Sequence, residues 1–178
     1  MRVRAALQLA LSASLLAPSA TVRLDAQASR PLRPPTDSLY RESKRLLAVG
    51  DTSTALDLLR QVEKKAPRFA PAFFDHGVIL SRRSDMGLAP DDIYRRRLAG
   101  QKLDEALDLD RGNPLYLLEL GRLRLKTPFL RIEAERLFAR AQRSARDRGD
   151  ARVLAAVEYE LGLISARRFN AMRNRRFL

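Results

Sequence analysis

The side chains that could carry out catalysis or bind a metal are few in this sequence. The chain of 178 residues has one histidine, no cysteine and no tryptophan. The absence of cysteine excludes a disulfide scaffold, a cysteine-ligated zinc site, an iron–sulfur cluster and a thiol nucleophile. The single histidine, His76, excludes a histidine-rich metal site. Because the sequence pattern brings no nucleophile or carboxylate to His76, we expect it to be a buried residue with a backbone hydrogen-bond partner.

One acidic run has the spacing of a calcium-binding loop. Asp108, Asp110 and Glu119 occupy its first, third and twelfth positions. The position that requires glycine holds Asn113, however, and Pro114 suits the start of a helix. We therefore expect these carboxylates to lie on solvated helix surfaces. With no glycine-rich phosphate loop and no serine-centred elbow, the sequence predicts a protein that is not an enzyme and holds no cofactor or metal.

Positive charge is the strongest compositional feature of the chain. The 34 Lys and Arg residues outnumber the 21 Asp and Glu residues, which gives a formal net charge of +13. Nucleic-acid binding needs such residues on one face, together with exposed aromatic side chains for stacking. Arg95–Arg97 cover nearly a full helical turn, and only 6% of residues are aromatic. This pattern disfavours nucleic acid as a partner, whereas the basic residues 167–178 would suit an anionic membrane or envelope polymer.

Residues 1–28 have the pattern of an export signal. Two arginines precede an uncharged, mostly apolar stretch over residues 5–17, which at about 13 residues is too short to span a bilayer. The sequence Ala-Gln-Ala then ends at Ala28, before Ser29, and forms a signal-peptidase site. We expect cleavage there and a protein that is periplasmic or secreted. A retained N-terminal helix and a mitochondrial transit peptide are the alternatives.

The sequence predicts that the rest of the chain is a proline-rich linker followed by helices joined at turns. Residues 29–36 contain three prolines and should be extended. The apolar periodicity predicts helices throughout residues 37–166, and no segment alternates as a strand would. A long helix should begin at Asp91 or Asp92, with Pro90 in its first turn, and should project beyond its neighbours at residues 94–97. Residues 127–128 and 149–150 should begin two further helices.

Small residues recur along this helical region at regular intervals. The spacing from Ser43 to Ala55 is 12, and the spacing from Ala55 to Gly77 is 22. The spacing from Ala99 to Gly121 is also 22. Small residues allow two helices to cross closely, so we expect Gly77 and Gly121 to meet Ala55 and Ala99 of the preceding helix pair.

These residues, with Phe73-x-x-His-Gly and Leu117-x-x-Leu-Gly, resemble the tetratricopeptide repeat (TPR), of the type found in exported bacterial proteins. The resemblance implies an all-α solenoid of about three and a half helix-turn-helix units, over residues 36–69, 70–113, 114–148 and 149–166. A basic helical tail would follow over residues 167–178. The repeat-packing positions would be Ala55, Gly77, Ala99, Gly121, Ala134 and Gly162.

In the TPR family the first helices of the units line a concave groove that binds peptides of partner proteins. Carried over to this sequence, the groove positions are Tyr40, Lys44, Phe74, Arg82, Leu118, Arg122, Lys126, Tyr159 and Arg167. Aromatic residues and cations in one groove suit a protein or peptide with acidic groups. The resemblance thus implies a non-catalytic interaction scaffold. The alternatives are an N-terminal module or fragment of a longer exported protein, and a basic surface-binding protein for anionic lipid, polymer or nucleic acid.

Overall fold

A computed structural model describes residues 34–84 and 89–175. The predicted signal, its cleavage site at Ala28 and Ser29, the first part of the linker and residues 176–178 lie outside these ranges. The described residues form helices and no strand, which confirms the all-α class for this part of the chain. The helices are α1 (Pro34–Ala48), α2 (Thr52–Lys65), α3 (Ala70–Arg83), α4 (Pro90–Leu109), α5 (Pro114–Leu125), α6 (Arg131–Arg148) and α7 (Ala151–Arg175). None of these helices is both long and apolar enough to cross a membrane.

Local capping signals set most of the helix boundaries. The side chain of Asp51 accepts a hydrogen bond from the Thr54 amide and caps α2, and Asn113 caps α5 in the same way. Gly149 ends α6 in the left-handed conformation at φ 68°, which glycine adopts without a steric penalty. The following residue, Asp150, accepts a hydrogen bond from an amide in the first turn of α7.

Three predicted features differ from the structure. The first helix begins at Pro34, inside the predicted linker, because proline is well suited to the first turn of a helix. The sixth helix begins at Arg131 rather than at residues 127–128, because a turn intervenes. Within α4, which starts at Pro90, just before the predicted start at Asp91 or Asp92, Arg96 does not project from the fold: it is only 6% exposed.

Helices that follow one another in the chain pack as pairs. Contacts are most extensive within the pairs α1–α2, α3–α4 and α5–α6, and each pair also contacts the next helix in the chain. The odd-numbered helices α3, α5 and α7 contact one another in turn. Most buried apolar side chains join one continuous core, to which α2, α4, α5, α6 and α7 contribute Leu59, Leu103, Leu117, Phe138 and Val157.

Glycine and alanine lie where paired helices approach most closely. A Cβ atom added to Gly77 would lie 2.8 Å from the Leu103 side chain and 3.0 Å from the Ala99 carbonyl oxygen. One added to Gly121 would lie 2.6 Å from the Phe138 ring. The nearest atoms therefore belong to the following helix of the same pair, not to the preceding pair as predicted. Ala55, Ala99 and Ala134 are fully buried.

Gly162 differs from the other two glycines. It lies on the exposed surface of α7, and an added Cβ would meet no atom within 4 Å. The predicted packing at Gly162 is therefore not formed among the described residues. The physical reason is that α4 and α6 cover Gly77 and Gly121, whereas no described helix follows α7 to cover Gly162.

Phe129, in the turn before α6, has an unfavourable backbone conformation. Its φ is +66°, and its side chain is fully exposed. An L-residue in this region costs about 1–2 kcal/mol, which no side-chain burial offsets here. Glycine removes this strain but also increases the conformational entropy of the unfolded chain. We therefore expect Phe129→Gly to raise the free energy of unfolding by about 0.5–1 kcal/mol in total. Urea denaturation would measure this, and Phe129→Ala, which keeps a Cβ, should bring no such gain.

Candidate functional site

A concavity of about 860 Å³ lies on one side of the helical core. The end of α1, one side of α3 and α5, and the start of α7 form its walls. Its floor is apolar and includes Phe74, Val78, Leu118 and Val153. Phe74 is held in place by stacking on Tyr116, with ring centroids 4.6 Å apart. The floor can therefore contact apolar groups of a ligand without rearrangement of the rings.

One wall carries an ion pair between α1 and α3. Lys44 Nζ lies 3.0 Å from Asp75 Oδ2, and the Tyr40 hydroxyl donates a hydrogen bond of 2.8 Å to the same carboxylate. Burial, followed by the charge of Asp75, raises the pKa of the Tyr40 phenol, which stays protonated as a donor. Asp75 therefore balances the positive charge of Lys44, and this wall offers little net charge to a ligand.

A second cation is balanced between α5 and α7. Arg122 Nε donates to Glu160 at 2.8 Å, and its Nη1 lies 2.7 Å from Glu119. Burial alone would lower the pKa of Arg122, but these two carboxylates raise it above its usual value. Two glutamates face this one guanidinium, so that Arg122 adds no net positive charge and mainly joins the two helices that form this part of the wall.

Three other arginines leave positive charge beside the floor. Arg82 and Arg83 lie in the last turn of α3, and Arg152 lies in the first turn of α7. All three line the concavity and are exposed to solvent. None forms an ion pair or hydrogen bond with another residue of the described ranges. Guanidinium groups in this state can form paired hydrogen bonds with carboxylates of a ligand.

The structure brings together some of the predicted groove residues and separates others. Lys44, Phe74, Arg82, Leu118 and Arg122 line the concavity. The remaining four, which do not line it, are Tyr40, Lys126, Tyr159 and Arg167.

Each of these four residues has a different environment. Tyr40 is half-buried and packs edge-on against Phe69, with centroids 5.0 Å apart. Lys126 donates a hydrogen bond of 3.1 Å to the Ser81 carbonyl oxygen and so joins α5 to α3. Tyr159 and Arg167 are exposed on α7.

The groove prediction missed Arg83 and Arg152. Arg83 is adjacent to the predicted Arg82, and the end of a helix gives both residues access to the same opening. Arg152 follows the Gly149–Asp150 turn, which is a recognisable helix start in the sequence. The sequence predicts this turn, but no local pattern in the sequence indicates that the start of α7 faces the end of α3.

A polar cluster with one buried and two half-buried members connects α2, α3 and α4 away from the concavity. His76 Nδ1 lies 2.7 Å from Glu63 Oε1, and Lys102 Nζ lies 3.0 Å from Glu63 Oε2. His76 is buried as predicted, but its partner is a side chain and not the backbone. Burial alone would raise the pKa of Glu63, yet the hydrogen bonds from His76 and Lys102 lower it. His76 Nε2 is buried and has no hydrogen-bond partner among the described residues.

The acidic run that resembled a calcium loop takes part in helix contacts instead. Asp110 accepts a hydrogen bond of 2.8 Å from the Asn113 side chain and lies 3.7 Å from Arg148. Among the residues that the structure describes, no three histidine or acidic side chains are grouped closely enough to hold a metal ion.

No protein-family model matches this sequence, and no curated protein is significantly similar to it.

Proposed function

We propose that this protein is a non-catalytic scaffold that binds an acidic segment of a partner protein in the concavity. The observation that carries the proposal is the position, beside an apolar floor, of three arginines that form no ion pair within the described ranges. Apolar side chains of the partner would lie on Phe74 and Leu118, and its carboxylates would pair with Arg82, Arg83 and Arg152. Lys44 and Arg122 contribute the shape of the walls, because Asp75 and Glu160 already balance them.

We further propose that the helices form a short TPR-type solenoid, and that the protein acts after export. The support for the repeat is the pairwise packing of successive helices, with the close approaches at Gly77 and Gly121 in corresponding places of two pairs. In such a stack the odd-numbered helices line one side, where a peptide can contact several units at once. The support for export is the pattern of residues 1–28 in the sequence.

The proposal predicts binding of a fluorescein-labelled peptide that alternates Leu and Glu, measured by anisotropy. Reversing the three unpaired charges (R82E, R83E and R152E together) should weaken binding by about 30-fold or more, because three charge-assisted contacts are lost. The alternation lets leucines reach the floor while glutamates face the arginines. A variant with Lys44 reversed is less informative, because it would also break the pair with Asp75.

The matched control reverses the same number of exposed arginines elsewhere. R68E, R136E and R140E together change the net charge equally, at positions that do not line the concavity. The affinity of this control for the peptide should be within about threefold of that of the unmodified protein. The corresponding free-energy difference is well below the 1.4 kcal/mol that equals a factor of ten. An equal loss of affinity in both variants would contradict peptide binding in the concavity. It would favour a protein that binds anionic surfaces through its overall charge.

A further inference from the structure

The charged residues that line the concavity differ in sign from one part of it to another. Arg82 and Arg83 lie in the last turn of α3, and Arg152 lies in the first turn of α7. Helix α5 lies between α3 and α7, contacts both, and contributes Glu119 to the lining. An acidic residue therefore lies on the helix that separates the two groups of arginines.

Helices α3 and α5 run in the same direction. Phe74, near the start of α3, stacks on Tyr116, near the start of α5. At the other end, Lys126, which follows α5, donates a hydrogen bond to the carbonyl oxygen of Ser81, near the end of α3. The arginines in the last turn of α3 therefore lie far from the starts of both helices.

The start of α7 lies beside the start of α5. Arg152 and Leu115 are the second residues of their helices, and both line the concavity. Further along the two helices, Arg122 of α5 pairs with Glu160 of α7. With adjacent helix axes about 9 Å apart and a rise of about 1.5 Å per residue, the backbone at Arg152 lies roughly 20 Å from that at Arg82.

Glu119 lies on α5 between these two ends and adds negative charge to the middle of the concavity. Its carboxylate lies 2.7 Å from Arg122 Nη1, and Glu160 accepts a hydrogen bond of 2.8 Å from Nε of the same arginine. Both glutamate side chains are largely shielded from water, at 16% and 15% exposed. Because two carboxylates share one guanidinium, this part of the lining has one negative charge in excess.

The other charged residues of the lining keep this pattern. Lys44 and Asp75 balance each other in an ion pair between α1 and α3. Asp150 lies near Arg152 and caps α7 by accepting a hydrogen bond from the Val153 amide. The positive end of the α7 dipole offsets part of the Asp150 charge. The concavity is thus positive at the end of α3 and at the start of α7, and negative on α5 between them.

We propose that Glu119 selects partner segments that are acidic at both ends and have no acidic residue in the middle. This inference rests on the proposed function, because it concerns the same segment in the same concavity. A carboxylate in the middle of the segment would lie beside Glu119, where solvent screens the repulsion only weakly. An apolar side chain at that position would instead contact Leu118 and Phe74 of the floor. At about 3.3 Å per residue, an extended segment of about seven residues covers the distance between the arginines.

Two fluorescein-labelled peptides of the same composition test this selection by anisotropy. The flanked peptide is Glu-Glu-Leu-Ser-Leu-Glu-Glu, and the central peptide is Leu-Glu-Glu-Ser-Glu-Glu-Leu, both with blocked termini. The flanked peptide should bind the full chain about tenfold more tightly, because its carboxylates reach the arginines and avoid Glu119. Equal affinities for the two peptides would overturn the inference.

The decisive variant is Glu119→Gln, which removes the excess negative charge and keeps the size of the side chain. The fold should tolerate it, because the amide oxygen can still accept from Arg122, and Glu160 continues to balance that arginine. The preference for the flanked peptide should fall from about tenfold to below about threefold, mainly through tighter binding of the central peptide. A preference that stays at tenfold would show that Glu119 is not its cause.

Glu158→Gln is the matched control. Glu158 is an exposed glutamate of α7 that does not line the concavity, so this variant removes the same charge from elsewhere on the protein. It should leave the preference for the flanked peptide at about tenfold. If Glu158→Gln reduced the preference as much as Glu119→Gln does, the overall charge of the protein would be the cause, and the selection by Glu119 would be wrong.

Peptides with glutamates at one end alone test the need for both ends. In each of them Gln-Gln replaces one of the two Glu-Glu pairs, and both should bind about fivefold more weakly than the flanked peptide. A peptide of this kind that binds as tightly as the flanked one would overturn the requirement for acid at both ends.

Reversal of Arg82, Arg83 and Arg152 together separates this inference from the proposed function. If the reversal weakens binding of the flanked and central peptides equally, and the unmodified protein does not distinguish them, the concavity binds acidic segments but Glu119 does not select among them. If the reversal weakens binding of neither peptide, the proposed function and the selection by Glu119 are both wrong.

Discussion

Phe138→Ala should lower the free energy of unfolding by about 3–5 kcal/mol, the range for loss of a fully buried aromatic side chain. The ring of Phe138 has no exposed surface and lies against Gly121, where α5 and α6 approach most closely. The alanine would leave a cavity between two helices that the glycine cannot fill. Chemical denaturation monitored by circular dichroism would measure the loss.

The exposed Phe169 provides the control for this experiment. Phe169→Ala removes the same atoms from a side chain that is 64% exposed, and it should change the free energy of unfolding by less than about 0.5 kcal/mol. Gly121→Ala places a Cβ 2.6 Å from the Phe138 ring and should also be destabilising. In a Phe138→Leu background the cost of Gly121→Ala should shrink, because the smaller side chain can move aside. Additive costs would show that the ring and the glycine are not in close contact.

The features predicted well from the sequence are those that depend on neighbouring residues. A helix start close to Pro90 and the turn before α7 at residues 149–150 follow from local helix-start preferences, and the structure has both. The close approaches at Gly77 and Gly121 follow from the absence of a side chain. The sequence does not predict which helix lies against each glycine, because the spacing fits both the preceding and the following helix equally well.

The groove was predicted only in part because charge balance depends on contacts distant in the sequence. Lys44 is 31 residues from Asp75, and Arg122 is 38 residues from Glu160. The sequence shows the cations but not the carboxylates that neutralise them. Likewise, no local signal predicts that Arg96 is buried within α4 while its neighbours in sequence are more exposed.

Glu63→Leu is expected to cost about 3 kcal/mol of unfolding free energy, because it leaves the buried His76 and the half-buried Lys102 without their shared carboxylate. The side chains of His76, Glu63 and Lys102 are 3%, 10% and 16% exposed. Glu63→Gln should cost less, since its amide oxygen can still accept one hydrogen bond. Glu105→Leu is the control: Glu105 also pairs with Lys102 but is 48% exposed, so its loss should cost under about 1 kcal/mol.

The difference in unfolding free energy between the unmodified protein and Glu63→Leu should depend on pH, and the sign of that dependence can be derived. The pKa of Glu63 is lowered from its ordinary value of 4.5, so the folded protein binds its proton less readily than the unfolded chain does. The stabilisation is therefore complete above pH 4.5 and is lost as the pH falls through the lower, folded pKa. The stability gap between the unmodified protein and Glu63→Leu should narrow in acid. A gap that stays constant down to pH 3 would contradict an ionised Glu63 in the cluster.

Replacing all three residues of the cluster tests whether the ion pairs stabilise the fold, or whether only the loss of one partner is costly. A triple variant with Glu63→Leu, His76→Leu and Lys102→Met leaves no buried charge without a partner. It also replaces His76 Nε2, which has no hydrogen-bond partner among the described residues, by an apolar group. Its free energy of unfolding should lie within about 1–2 kcal/mol of the unmodified protein, well above that of Glu63→Leu alone. Recovery of stability would show that Glu63 is needed because the buried His76 and the half-buried Lys102 lie beside it. A triple variant as unstable as Glu63→Leu would show that the cluster itself stabilises the contact between α2, α3 and α4.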